Sequence, residues 1–234
     1  MLTVEGLIAG YQRGSRVLDG VSFAIDRGEI VALMGRNGMG KTPLLRTITG
    51  HLYPMAGTIS FNGRRLIGRP PHEIANLGIG YVPQGREIFS GFTTEENLLM
   101  GLLGKRHLPK KIPSWAYETF PVLHERRLQR AGSMSGGQQQ QLAIMRALVG
   151  EPELLLLDEP AEGIQPSIVQ EIARTLRRTA QEKQLTVLLV EQNLDLVLGM
   201  ASRSLFIENG RVVDEAPVEN IRLGSELVER YLSV

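Results

Sequence analysis

Apolar positions follow two spacings along this chain, and the two spacings alternate. Leu2–Ala9 and Val21–Ile25 mix apolar and polar residues as strands do, and Glu29–Met34 ends in the unbroken run Ile30-Val31-Ala32-Leu33-Met34. A short, partly β-branched run of that kind predicts a strand buried on both faces. Asp19-Gly20 and Asp26-Arg27-Gly28 read as turns between these strands, and so does Pro54-Met55-Ala56-Gly57 further on. Thr58-Ile59-Ser60-Phe61 alternates and meets Asn62-Gly63, a hairpin signal. Pro70–Leu77 predicts a helix with proline at its start, and Ile79–Pro83 a strand. Residues 93–150 read as helical. Thr94 with Glu95 and Glu96 predicts a helix start, and Leu98, Leu99, Leu102 and Leu103 an apolar face. Gly104–Lys111 is basic and proline-containing, hence a loop.

The remainder repeats the theme. Leu154–Leu157 is a continuous apolar strand ending in Asp158-Glu159, and Thr186–Val190 is another, ending in Glu191-Gln192. Between them Ser167–Lys183 carries Ile168, Ile172 and Leu176 at helical spacing. Arg203–Glu208 and Arg211–Glu215 predict a hairpin across Asn209-Gly210, and Val218–Tyr231 a closing helix. Open parallel sheets bind ligands at the C-terminal edge of their strands.

The candidate chemistry sits at those strand ends. Gly35-Arg36-Asn37-Gly38-Met39-Gly40-Lys41-Thr42 reads G-x-x-x-x-G-K-T, a phosphate-binding loop. A strand precedes it, and Leu44–Thr49, stopping at Gly50, predicts the helix that should follow. The glycines let main-chain N–H groups approach an anion, which the positive end of the helix also favours. Lys41 brings a compact charge to the outer phosphates, and Thr42 a hydroxyl for Mg²⁺. Pro43 stands where a second hydroxyl residue would add an inner-phosphate donor. It has no N–H, and it is expected to push Thr42 away from helical angles. Ser135-Gly136-Gly137-Gln138 opens the helix Gln139–Val149 and offers a second anion site, with Ser135 as N-cap. Asp158 is placed to hold Mg²⁺, and Glu159 to orient or deprotonate an attacking water. Tyr11 offers an exposed ring able to stack on a base.

Composition changes little. The 234 residues hold 26 basic and 25 acidic side chains, so no charge excess points to nucleic acid. There is no cysteine, and His51, His72, His107 and His124 lack metal-ligand spacing. Met1–Glu5 lacks the parts of a signal peptide, and no apolar run approaches the roughly 20 residues needed to cross a bilayer.

The ordered set of phosphate loop, Val82-Pro83-Gln84, Ser135-Gly136-Gly137-Gln138, then four leucines before Asp158-Glu159-Pro160, resembles the ATP-binding cassette (ABC) family over essentially the whole chain. The resemblance implies one ATPase domain over 1–234: a RecA-like phosphate-loop core, an antiparallel β subdomain and a helical subdomain at about 93–150. It implies ATP and Mg²⁺, with Tyr11 on adenine, Gln84 on Mg²⁺ or the water, and Glu159 as catalytic carboxylate. It also implies a dimer, identical or with a related subunit, in which Ser135–Gln138 of one chain meets ATP on the other. Transmembrane permease subunits and, indirectly, a solute-binding protein follow, at the cytoplasmic face of the membrane. Three positions depart from the pattern: Met134 replaces leucine, Gln165 an aspartate, and Gln192 the histidine that would face the γ-phosphate. Glu191-Gln192-Asn193 is similar to an importer branch serving branched-chain amino acids, urea and short-chain amides. Val82–Phe89, Glu95–Leu98 and Glu162–Ser167 look most like its urea-type ATPases. The alternatives are a branched-chain amino acid importer ATPase, a soluble cassette in DNA repair or translation, a small-molecule kinase and a non-hydrolysing regulator. A soluble cassette would favour a coiled-coil insertion, a second cassette or a basic arm, and a kinase would leave Ser135–Gln138 unexplained.

Overall fold

The structure is a computed structural model and describes residues 1–11, 15–105, 108–221 and 226–232. Strands β1 (Leu2–Ala9) and β2 (Leu18–Ile25) are followed by β3 (Ile30–Met34), helix α1 (Lys41–Ile48) and strands β4 (Pro54–Phe61) and β5 (Arg64–Arg65). Next come α2 (Pro71–Asn76), β6 (Ile79–Val82) and a helical stretch of α3 (Thr94–Met100), α4 (Ser114–Thr119), α5 (Pro121–Glu125) and α6 (Gly136–Leu148). The chain then runs through β7 (Leu154–Asp158), α7 (Pro166–Lys183), β8 (Thr186–Val190), α8 (Leu194–Met200), β9 (Arg203–Glu208), β10 (Arg211–Pro217) and α9 (Glu226–Tyr231).

Two sheets result. One is antiparallel in the order β2-β1-β4-β5; the other is ordered β10-β9-β3-β8-β7-β6, parallel except for β10. The parallel strands are apolar throughout because each feeds two cores. Ile30, Ala32 and Met34 point to one core with Leu155, Leu157, Val187 and Leu189, packed with α6, α7 and α8. Val31 and Leu33 point to the other with Leu154, Leu156, Leu188 and Val190, packed with α1 and the antiparallel sheet. Successive side chains of a strand face opposite ways, so a sheet covered on both sides needs no polar position. The expected α/β phosphate-loop core with an antiparallel β sheet is what forms. Among the described residues no helix is long and apolar enough to cross a membrane.

Several local expectations are corrected. Asp19-Gly20 and Pro54–Gly57 are not turns but parts of β2 and β4. Their glycines take left-handed angles (Gly20 φ 85°, Gly57 φ 91°) beside irregularities in strand pairing. A Cβ on Gly57 would stand 2.5 Å from the Gly6 carbonyl oxygen, so this glycine marks close strand contact rather than a reversal. Helix α3 is capped one residue earlier than expected, by a capping box of Thr93 and Glu96. Leu98 and Leu102 are buried, but Leu99 and Leu103 are exposed, so the four leucines do not form one buried face. Thr42 lies inside α1 despite preceding Pro43. Proline in a helix's first turn lacks only an N–H that the helix would leave unbonded. The closing helix reduces to a single 3₁₀ turn at Val218–Asn220 and to α9; residues 222–225, like Arg106 and His107 of the basic loop, lie outside the described residues. Helix α8 was not expected. It is short, capped by the Asn193 side chain accepting from the Leu196 N–H (3.0 Å), and follows the Glu191-Gln192 strand end directly.

Leu156, fully buried in a strand flanked on both sides, tests this core. Leu156→Ala is expected to lower unfolding free energy by about 3 kcal/mol, seen as a lower urea midpoint at unchanged slope. A loss under about 1 kcal/mol would mean the two-sided packing is looser than described.

Candidate functional site

Because β3, β6, β7 and β8 run parallel, their C-terminal ends share one edge of the sheet. Strand β3 releases the glycine loop there, β6 leads to Gln84, β7 ends at Asp158, and β8 leads to Glu191 and Gln192. Gly35 has no room for a side chain, since a Cβ would lie 2.4 Å from the Ile207 carbonyl oxygen of β9. Gly40 caps α1 in a left-handed conformation (φ 106°) that a larger residue would strain.

A pocket of about 410 Å³ opens over this loop, lined by Tyr11, Asn37, Gly38, Gly40, Lys41, Thr42, Pro43, Gln84, Glu159 and Glu162 among others. Lys41 is its cationic side chain, and it is only 4 % exposed. Its ammonium donates to the Gly35 (2.7 Å) and Arg36 (3.0 Å) carbonyl oxygens and stands 3.4 Å from Glu159 Oε1. Burial pulls its pKa below the ordinary lysine range, and the Glu159 carboxylate works against that pull. Tyr11 stands exposed at the rim.

Below the pocket, Thr42 Oγ1 donates to Asp158 Oδ1 (3.1 Å), and the Tyr81 hydroxyl donates to Asp158 Oδ2 (3.3 Å). Burial raises the Asp158 pKa to about 6, against which the Thr42 hydrogen bond acts, and burial beside Asp158 raises that of Tyr81. A hydroxyl and a carboxylate are hard oxygen donors of the kind Mg²⁺ takes alongside water and phosphate.

Glu159 is the point of convergence. It leaves β7 in a left-handed conformation (φ 47°), its N–H donating to the Val190 carbonyl (2.9 Å). Gln84 Nε2 donates to Glu159 Oε2 (3.3 Å) and Glu162 Oε2 (3.0 Å). Gln192 Nε2 donates to Asn37 Oδ1 (2.7 Å) and Glu159 Oε1 (3.3 Å). Four sequence-predicted residues, Lys41, Gln84, Glu159 and Gln192, therefore meet. Gln84 turns its amide to the carboxylates of Glu159 and Glu162 rather than to the Thr42–Asp158 pair. Arg36 and Met39 do not line the pocket. Arg36 gives Lys41 a carbonyl, and the Met39 sulfur accepts from the Asn209 N–H (3.4 Å).

The second anion site forms locally but stands apart. Ser135 and Gln138 make a reciprocal capping box at the start of α6, and Met134 is buried behind it. None of Ser135, Gly136, Gly137 and Gln138 lines the phosphate-loop pocket. Sequence reasoning passed over Tyr81, Glu162 and Arg86. Arg86 reaches Gln139 of α6 (3.3 Å) and the Glu162 carbonyl (3.3 Å). Arg86 and Glu162 stand a few residues beyond Gln84 and Glu159, but their roles depend on partners distant in the chain.

Comparison with known proteins places this geometry. The profile of the ABC transporter family matches residues 18–162. A high-affinity branched-chain amino acid transport ATP-binding protein, BraG of Pseudomonas aeruginosa, is 44% identical over 208 residues, covering 88% of each chain. A probable branched-chain amino acid transport ATP-binding protein, LivF of Archaeoglobus fulgidus, is 35% identical over 91% of this chain and 90% of its own. Among solved structures, cbiO1 from Clostridium perfringens, part of the ABC transporter complex cbiONQ, superposes with a TM-score of 0.83 at 28% identity, covering 98% of this chain and 93% of its own.

The raised Asp158 pKa makes a pH test of the nucleotide-free protein. The folded value of about 6 lies above the ordinary 3.8, so the native state favours the protonated acid. That contribution is complete below pH 3.8 and is lost as pH rises through about 6. The shift corresponds to an ionisation penalty on the order of 3 kcal/mol by pH 8. In metal-free buffer, wild type is expected to lose this stability between pH 4 and pH 8 relative to Asp158→Asn, measured by urea unfolding. Parallel pH profiles for the two proteins would contradict it.

Proposed function

We propose, because this chain belongs to the ABC transporter family, that it is the ATP-hydrolysing subunit of an importer for branched-chain amino acids. That it is an ABC transporter ATPase is the premise; the residue roles, the partners and the solute are the proposal. The observation that carries the site reading is the meeting of Lys41, Gln84 and Gln192 on Glu159 at the mouth of the phosphate-loop pocket.

The loop N–H groups and the start of α1 receive the phosphates of ATP, and Lys41 neutralises the outer ones. Tyr11, at the rim, stacks on the adenine. Thr42, Asp158 and Gln84 are the residues that would hold Mg²⁺, which would supply neutralising charge to the phosphates. Glu159 orients and accepts a proton from the attacking water. With Lys41 drawn to phosphate, a Glu159 oxygen is released from the contact at 3.4 Å and becomes free to take that proton. Gln192 donates to the γ-phosphate or to Glu159 but carries no charge.

Ser135–Gln138 forms a capped helix start away from its own chain's pocket, which supports its use on ATP held by a second cassette, identical or related. ABC cassettes dimerise and work with transporter complex partners. A groove of about 600 Å³ between β6, α3 and α6, with Phe89 and Leu103 exposed on it, supports docking of a permease segment at the cytoplasmic membrane face. The solute follows the relatives: BraG and LivF bear branched-chain amino acid names. Support therefore rests with that alternative rather than with urea or short-chain amides. No side chain of the site would touch the solute.

Glu159→Gln is expected to lower kcat for ATP by about 10²-fold or more while ATP affinity stays within a few-fold, measured by phosphate release and equilibrium binding with the permease present. Equal turnover by the two proteins would remove Glu159 from the chemistry. Pro43→Thr, which restores an N–H and a hydroxyl beside the phosphates, is expected to tighten ATP binding by roughly fivefold, the worth of about 1 kcal/mol for one hydrogen bond. An unchanged Kd would show that the missing donor does not matter.

A further inference from the structure

Among the described residues, the buried charged side chain outside the proposed chemistry is Glu191. It follows β8, is 4 % exposed, and accepts three backbone N–H donors from two separate loops. Oε1 accepts from Ala161 (2.8 Å), and Oε2 from Gln192 (2.6 Å) and Asn193 (2.8 Å). Among the described residues it makes no salt bridge; the three N–H groups are what hold it. A carboxylate buried without a cation is costly, and burial does push its pKa up. An apolar side chain would fill the space without that cost, but it could not bond either loop.

What the carboxylate joins gives it a role. Ala161 lies two residues beyond Glu159, whose own N–H is held by the Val190 carbonyl. The left-handed turn that presents Glu159 is thus fastened on both sides by the end of β8. The other oxygen fixes the backbone of Gln192, whose side chain meets Glu159 Oε1 at 3.3 Å and Asn37 of the phosphate loop at 2.7 Å. We propose that Glu191 is a positioning residue for hydrolysis. One carboxylate sets the turn that presents Glu159 and the strand end that presents Gln192, and so sets the distance between the two side chains. The inference rests on reading Glu159 as the carboxylate that handles the water, and it adds a requirement that the nucleotide contacts alone do not make.

Glu191→Gln is the informative variant. Its single oxygen can serve the Ala161 side or the Gln192–Asn193 side, and the amide must face donors on the other. Glu191→Ala removes both sides. With permease present, Glu191→Gln is expected to lower kcat at least about tenfold, since small misplacements near a reacting atom carry such losses. Its KM for ATP and its nucleotide Kd are expected to stay within about twofold, because Lys41 keeps its contacts to the loop carbonyls, and Glu191→Ala is expected to be no better. Amide hydrogen exchange on wild type reads the same contacts without a variant: Ala161, Gln192 and Asn193 should be strongly protected, and Ala161 or the Gln192–Asn193 pair should lose protection in Glu191→Gln. The proposal is overturned if kcat of Glu191→Gln lies within twofold of wild type, if the loss appears in KM and Kd instead, or if the wild-type amides exchange freely. Should Glu191→Ala fail to fold, the glutamine variant and the exchange data still decide. If Glu159→Gln turns over like wild type, the site reading itself falls. If Glu159→Gln is inactive and Glu191→Gln is not, only the role of Glu191 falls.

Discussion

The structure depends on one buried ammonium facing a ring of carboxylates at a sheet edge. Lys41 is the cationic side chain lining the phosphate-loop pocket, while Glu159 and Glu162 line it and Asp158 lies beneath. Two loop carbonyls and Glu159 hold the lysine in place, so its charge is already aimed before a phosphate arrives. Pre-organisation of this kind spares reorganisation at the moment of reaction. Burial raises the pKa of Asp158 and of Glu191 at this edge.

That edge stays in place because the sheet behind it cannot slide. Each inner strand gives alternate residues to two cores, so a one-residue slip of β7 would move Leu154 and Leu156 into the place of Leu155 and Leu157, and Asp158 with them. Register in the apolar interior therefore fixes the polar geometry outside it. The strained φ of Glu159 survives in this setting because β8 holds the chain on both sides of it.

The parts legible in the sequence were those whose cause is local. Unbroken apolar runs such as Leu154–Leu157 announce a strand covered on both faces, and the glycine loop between β3 and α1 announces itself by spacing. Turn chemistry misled where a distant partner overrode it. Asp19-Gly20 and Pro54–Gly57 have turn composition, yet pairing with β1 keeps both in strands and uses the glycines for irregular register. Pro43 suggested a disturbed Thr42, but the helix begins one residue earlier and absorbs the proline in its first turn. Leu99 and Leu103 followed Leu98 and Leu102 in composition, and only the packing of α3 separates buried from exposed. At the site, Lys41, Thr42, Asp158 and Glu159 were legible because their motifs are contiguous. Glu191 was named only as a neighbour of Gln192. Its partner Ala161 lies thirty residues away, a contact that no short pattern contains.

On the proposed reading, charge supply links Gln192 to the separated helix start. A histidine at 192 would bring a positive charge when protonated, whereas the glutamine here ties Asn37 to Glu159 while adding none. Pro43 removes one more donor from the phosphate end. Among the described residues the pocket lining carries one cationic side chain and two carboxylates, and ATP would bring several negative charges to it. On the proposed reading, a divalent cation on the Thr42–Asp158 oxygens and a partner cassette would add positive potential. The start of α6, with Ser135 capping N–H groups that its own pocket never meets, is a ready source of that potential for a neighbouring cassette.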